Sequence, residues 1–79
     1  GRQIMTIIKH TTHFHAYHGY EVRKTFLSHN GKYYMVSESD KETLIFPAQS
    51  DGTHTWLDID SALHTSDAIR KIQNGQIMS

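Results

Sequence analysis

Four of the seven histidines lie within nine residues of the chain, at His10, His13, His15 and His18 in the stretch HTTHFHAYH. Imidazole nitrogens bind zinc, copper and nickel, and histidine is the side chain that exchanges protons near neutral pH. A tetrahedral zinc site needs three or four ligands. The stretch therefore raises a metal-binding hypothesis that depends on which of these rings can converge.

Polar and apolar residues alternate through this part of the chain. Over residues 14–26 most even-numbered positions are apolar and most odd-numbered positions are polar, which predicts an extended segment with a bend or bulge at Gly19. The alternation places His13 and His15 on one face, together with Tyr17. The other two histidines of the cluster fall in the opposite register.

Two interpretations of the histidines follow from this pattern. In the first, His13 and His15 bind zinc or nickel and the remaining ligands come from elsewhere in the chain. The candidates for those ligands are His10, His18, His54, Asp58 and Asp60. In the second interpretation, the histidines are the solvated outer face of an ordinary strand and bind no metal.

The sequence lacks the usual signatures of catalysis. It has no cysteine, no HExxH, no GxSxG and no phosphate-binding glycine loop, so no spacing selects a nucleophile or a catalytic metal. A domain of 79 residues also has little room for the enclosed pocket that most enzymes use. We therefore expect a protein that is not an enzyme and needs no cofactor, with zinc or nickel as the alternative.

Composition narrows the class of protein further. Eight basic residues balance eight acidic ones, so the chain lacks the basic surplus expected of a nucleic-acid-binding protein. No apolar run approaches the roughly 18 residues of a membrane span, and no signal peptide is recognisable. We expect one small cytoplasmic domain over residues 1–79, with Met5 as the natural initiator and residues 1–4 added ahead of it.

The clearest structural signal is a β-hairpin. Two β-rich runs, residues 20–27 and 33–38, flank Asn30-Gly31, the favoured central pair of a type I′ turn. A two-residue loop fixes the strand register. The predicted cross-strand pairs are Phe26 with Met35, Leu27 with Tyr34, Thr25 with Val36, and Arg23 with Glu38.

The remaining segments complete an α+β fold. Residues 4–9, 43–46 and 54–60 read as strands, and residues 49–53 read as a turn. Residues 65–75 read as a helix that Thr65 or Ser66 would cap and Gly75 would end. Ala68, Ile69 and Ile72 form its apolar stripe. The sequence thus predicts an antiparallel meander of about four or five strands with one C-terminal helix packed on one face.

Exposed aromatic residues are the leading functional candidates. In the predicted strand over residues 54–60, the only tryptophan, Trp56, alternates with the natural core positions Thr55, Leu57 and Ile59. We expect Trp56 to be buried under the helix or a loop, with an exposed interface anchor as the alternative. Trp56, Tyr34 and Tyr17 are the candidate interaction residues.

The leading interpretation of function is a small non-enzymatic interaction or accessory module, acting as a homodimer or bound to a larger protein. Accessory proteins of mobile genetic elements often have this build, which is an analogy of size and architecture alone. A second alternative, after metal binding, is a sheet platform for nucleic acid, because tyrosines interleaved with cations stack on single strands. That platform would use Tyr33, Tyr34, Arg23, Lys24 and Lys32. The neutral net charge makes nucleic acid the less favoured partner, and no membrane association is expected.

Overall fold

A computed structural model describes residues 5–15 and 19–77 of the chain, except for the side chains of His13 and His15. Five antiparallel strands lie side by side in the order in which they occur in the chain, and one helix follows them. The elements are β1 (Met5–His15), β2 (Tyr20–His29), β3 (Lys32–Glu38), β4 (Thr43–Ala48), β5 (Asp60–Ala62) and α1 (Thr65–Gln73). This is the α+β meander that the sequence predicts.

The β2–β3 hairpin has the predicted register. Phe26 pairs with Met35, Leu27 with Tyr34, Thr25 with Val36, and Arg23 with Glu38. Asn30 and Gly31 both have positive φ, at 52° and 81°, as a type I′ turn requires. The turn therefore sets which residues of both strands face the helix.

The main core lies between the sheet and α1. Leu27, Val36 and Ile45 occupy neighbouring positions on β2, β3 and β4 and are fully buried. Ala68 and Ile72 of the helix complete this cluster. The predicted apolar stripe is thus confirmed, and we call this side of the sheet the helix face.

The opposite side of the sheet is covered by residues 49–59, and we call it the loop face. Phe26 and Phe46 are buried there, at 8% and 3% exposure. The predicted turn is present: the Asp51 carboxylate accepts hydrogen bonds from the Thr53 main-chain N–H at 3.0 Å and hydroxyl at 2.7 Å. The chain thus buries both faces of its central strands with very few covering residues.

The N-terminal strand is longer than predicted. β1 extends to His15 and pairs with β2 along its whole length, from Met5 opposite His29 to His15 opposite Tyr20. The chain reverses direction between β1 and β2, so the bend predicted at Gly19, where φ is 74°, belongs to a full reversal between two strands rather than to a kink within one extended segment. Alternation alone cannot separate one strand from two, because both arms of a hairpin keep a period of two.

The last strand is much shorter than predicted. Only Asp60–Ala62 form β5, and the expected strand over residues 54–60 is reduced to a single bridge between His54 and Ala48. Asp58 has a left-handed φ of 56°, which breaks the extended conformation. Leu57 and Ile59 are exposed rather than in the core. Tertiary placement overrides the local alternation here.

The two ends of α1 differ in how well they follow prediction. The N-cap is His64, which makes no side-chain capping bond, so the predicted caps at Thr65 or Ser66 are wrong by one or two positions. At the other end Gly75 has a φ of 70°. Its N–H donates to the Ile72 carbonyl, and the next N–H donates to the Lys71 carbonyl at 2.9 Å, which is the Schellman arrangement expected of a C′ glycine.

Replacing Gly31 by L-alanine should lower the free energy of unfolding by about 1 kcal/mol, because an L side chain is strained at its positive φ. No atom lies within 4 Å of a Cβ built there, so the cost would come from the backbone alone. Urea titration followed by circular dichroism measures it. A synthetic chain with D-alanine at this position is the matched control and should be as stable as the parent. Equal destabilisation by both isomers would contradict the turn assignment.

Candidate interaction surfaces

Large exposed apolar side chains occur on the edge strand β1 and in the segment around β5. Seven such residues are found in the described part of the chain: Ile7, Ile8, Phe14, Trp56, Leu57, Ile59 and Leu63. Three belong to β1, which is one edge strand, and four lie in the eight residues around β5, which is the other. We call these surfaces the β1 edge (Met5–His15) and the β5 edge (residues 56–63).

The β1 edge is long and open. β1 has 11 residues and pairs only with β2 among the described residues. A register shift between Ile7 and Lys9 forms a bulge, a feature that often interrupts edge strands. Phe14, near the far end of the strand, is 65% exposed. The edge of β1 that faces away from β2 therefore offers main-chain hydrogen-bonding groups, and exposed apolar side chains lie along the same strand.

The β5 edge is short and apolar. β5 itself has three residues, and Trp56, Leu57 and Leu63 beside it are 71%, 74% and 76% exposed. A cluster of this kind on a small protein is typical of an interaction surface rather than of random exposure. Leu57 is not among the predicted interaction residues, because the alternation of residues 54–60 places it on the core face of a longer strand.

Trp56 is partly anchored although it is exposed. Its ring packs edge-on against the ring of Phe46, with 5.1 Å between the ring centroids. The centroid of the His54 ring lies 5.3 Å from that of Trp56 and 4.5 Å from that of Phe46. The expectation that Trp56 lies in the core is therefore wrong, because the ring covers Phe46 from outside. A rigid, largely exposed tryptophan is a favourable interface anchor, since little conformational entropy is lost when it binds.

The other two candidate interaction residues do not join Trp56. Tyr34 is 6% exposed and belongs to the core beneath α1, so its assignment to an interaction surface is wrong. Burial raises the pKa of the Tyr34 phenol. The register of the hairpin decides this, because Tyr34 pairs with Leu27 on the helix face. Tyr17 lies outside the described residues.

The histidine cluster is only partly described. His13 pairs with Val22 and His15 with Tyr20, so both backbones lie in β1 with the predicted common register. His10 pairs with Thr25 in the other register, and its Nδ1 lies 3.1 Å from the Thr25 hydroxyl. His18 lies outside the described residues. Among the described side chains, no group of three or more histidines and carboxylates is arranged to hold a metal.

A polar cluster joins the sheet to the start of α1. The Glu38 carboxylate accepts a hydrogen bond from the Thr65 main-chain N–H at 3.2 Å, and lies 3.4 Å from Arg23 Nη2 and 3.5 Å from His64 Nδ1. Burial favours the neutral form of Glu38, but the bonds from Thr65, the Arg23 charge and His64 together hold the pKa of this carboxyl below its usual range. The carboxylate thus acts as an N-cap supplied by another element.

This cluster lies in a cleft of about 490 Å³ whose lining includes Phe14, Glu21 and Asp40. The Arg23–Glu38 pair follows from the hairpin register, but the contact of Glu38 with α1 is not predictable from the sequence. No local signal could have revealed that contact, because 27 positions separate Glu38 from Thr65. Its carboxylate oxygens are committed to holding the fold together, which favours a structural role over acid–base catalysis.

The residues of the predicted nucleic-acid platform lie on opposite faces of the sheet. Tyr33 and Lys24 lie on the loop face, where Tyr33 stacks on Phe26 at 5.8 Å. Tyr34 and Arg23 lie on the helix face, and Arg23 is paired with Glu38. The tyrosines and cations therefore do not form one continuous stacking surface of the kind that single-strand binding uses.

Comparison with known proteins gives no relative from which a function could be transferred. No family model matches the chain, and neither the curated proteins nor the solved structures contain a match. Within the part of the chain that the structure covers, no helix is long and apolar enough to cross a membrane. Any functional conclusion must therefore come from the geometry of the chain itself.

Glu38→Gln should destabilise the fold at neutral pH by about 1 kcal/mol, because a charge-assisted cap is replaced by a neutral one. The folded-state pKa of Glu38 is lowered, so its contribution is full above the ordinary carboxyl pKa and is lost as pH falls through the folded-state value. Urea titrations over a pH series should show the difference between parent and variant shrinking on acidification. Glu42→Gln, at an exposed carboxylate in the β3–β4 turn, is the control and should change little.

The metal hypothesis for His13 and His15 remains a prediction. If it is correct, native mass spectrometry of the chain with zinc or nickel should show a stoichiometric mass shift that disappears in His13→Ala/His15→Ala. His64→Ala, which removes an exposed histidine outside the cluster, should keep the shift. The absence of any shift at micromolar metal would exclude a site of biological affinity.

Proposed function

We propose that this chain is a non-enzymatic protein-interaction module that binds partners through the edges of its sheet. The observation that carries the proposal is the distribution of exposed apolar side chains. Of the seven large ones found in the described residues, three lie on the edge strand β1 and four lie in residues 56–63, the segment that leads into and out of β5. Monomeric proteins rarely expose many large apolar side chains close together unless these bind a partner, because exposed apolar side chains also favour aggregation.

The β1 edge supports this proposal through its backbone. An open edge strand offers a row of main-chain donors and acceptors to an incoming extended segment, a mode of binding known as β-augmentation. Eleven residues exceed the usual strand length of about five or six, so β1 offers ample length for such a partner. Lys9, near the bulge, is the kind of charge that limits unspecific pairing.

The polar cluster around Glu38 supports the proposal less directly. A catalytic carboxylate is expected to have a pKa near the working pH, whereas the pKa of Glu38 is lowered by its structural partners. The cluster therefore favours a fixed scaffold whose surfaces, rather than a reacting group, carry the function.

Site-specific photo-cross-linking tests the proposal. A benzoylphenylalanine placed at Phe14 or at Trp56, in cells that express the chain, should give protein adducts from both edges. The same group at Ser66, which is exposed on α1, is the control and should give few. Adduct yields at the two edges no higher than at Ser66 would contradict an interaction role for the edges.

A further inference from the structure

The net charge of the chain is zero, but its positive and negative residues are concentrated in different halves of the sequence. Residues 1–37 carry five lysines and arginines and a single carboxylate, Glu21, whereas residues 38–79 carry three and seven. Between Lys41 and Arg70 there are five carboxylates and no lysine or arginine. Composition alone does not reveal this separation, because the two halves cancel.

The fold converts this separation into two oppositely charged edges. The strands lie in chain order, so Lys9, Arg23 and Lys24 lie on β1 and β2, whereas Asp58 and Asp60 lie beside or in β5. β1 contains Lys9 and three histidines and no carboxylate, whereas residues 56–63 contain Asp58 and Asp60 and no cation. Lys71 Nζ lies 3.4 Å from the Asp60 carboxylate and donates to the Ser61 carbonyl at 2.8 Å, so it offsets the charge of Asp60. The exposed Asp58 is therefore the carboxylate that gives this edge its negative charge.

Each edge combines its charge with apolar side chains. Ile7, Ile8 and Phe14 accompany Lys9 on β1, and Trp56, Leu57 and Leu63 accompany the carboxylates near β5. A contact between two β1 edges would bring Lys9 of two chains together, and a contact between two β5 edges would bring their aspartates together. Like charges at an interface disfavour it, and opposite charges favour it.

We propose that the occupant of the β1 edge is the β5 edge of a second copy of this chain, in a head-to-tail contact that extends the sheet. The proposal rests on the proposed function, since it names the partner that the edges bind. Such a contact joins two different surfaces, so each added copy leaves one edge of each kind free. Association therefore does not stop at a dimer unless the copies close into a ring.

The size of the contact predicts weak, concentration-dependent assembly. β5 offers only three residues for main-chain pairing, so most of the contact comes from exposed side chains such as Leu57 and Leu63. Charged groups at its rim make the association sensitive to ionic strength. Sedimentation velocity over a series of protein concentrations should show the average mass rising beyond that of a dimer, with the rise reduced by added salt.

Two variants that each disable one edge provide the decisive experiment. Lys9→Glu places a carboxylate on β1, and Leu57→Ser/Leu63→Ser removes exposed apolar groups from the β5 edge without adding charge. Each variant alone should associate roughly tenfold or more weakly than the parent. Their equimolar mixture should form a heterodimer and stop there, because one intact edge of each kind remains. Lys32→Glu makes the same charge change at an exposed residue of β3 and should assemble like the parent.

The outcomes separate this inference from the proposed function. A parent chain that stays monomeric over the concentration series overturns the head-to-tail contact. So does an association that one of the two variants retains in full, since this indicates pairing of like edges. In either case, cross-links from Phe14 and Trp56 to a different protein would leave the interaction role intact. Circular dichroism of each variant verifies that a loss of association is not a loss of fold.

Discussion

The contact on which the arrangement of sheet and helix depends is the one between Glu38 and the first turn of α1. A helix of nine residues is too short to be stable alone in water, where about 12–15 residues are marginal. Its N-cap residue supplies no side-chain bond. The carboxylate of Glu38, on β3, replaces that cap. The Thr43 hydroxyl donates at 3.3 Å to the carbonyl of Leu63, the residue before the N-cap. These two contacts, together with burial of Ala68 and Ile72, fix the helix over the core.

The position of the helix determines which parts of the sheet remain available for binding. α1 packs against β3, β4 and β5, and residues 49–59 cover the loop face around Phe26 and Phe46. β1 receives little cover from either, and every described side chain from Thr6 to Thr12 is exposed. With so few residues to cover both faces, β1 stays open as an edge strand, and the exposed apolar side chains lie there and in residues 56–63.

The order of the strands in the meander turns the separation of charge along the chain into a separation across the sheet. In a sheet whose strands follow chain order, distance along the sequence becomes distance across the sheet, at about 4.8 Å for each strand. A basic N-terminal half and an acidic C-terminal half therefore become opposite edges. A fold that interleaved early and late strands would have brought the same charges together and cancelled them locally.

The sequence by itself determined the α+β class, the β2–β3 register, the apolar stripe of α1 and its glycine end. These features follow from short-range rules: the Asn30-Gly31 turn needs positive φ, strand faces repeat every two residues, and Gly75 accepts a left-handed conformation. Tertiary structure decided the reversal between β1 and β2, the short β5, the exposure of Trp56 and the burial of Tyr34. Each of these depends on which distant segment covers a given face: α1 covers Tyr34, and Trp56 lies outside Phe46 instead of beneath it. Local alternation identifies two faces of a strand, but only packing decides which of them is covered.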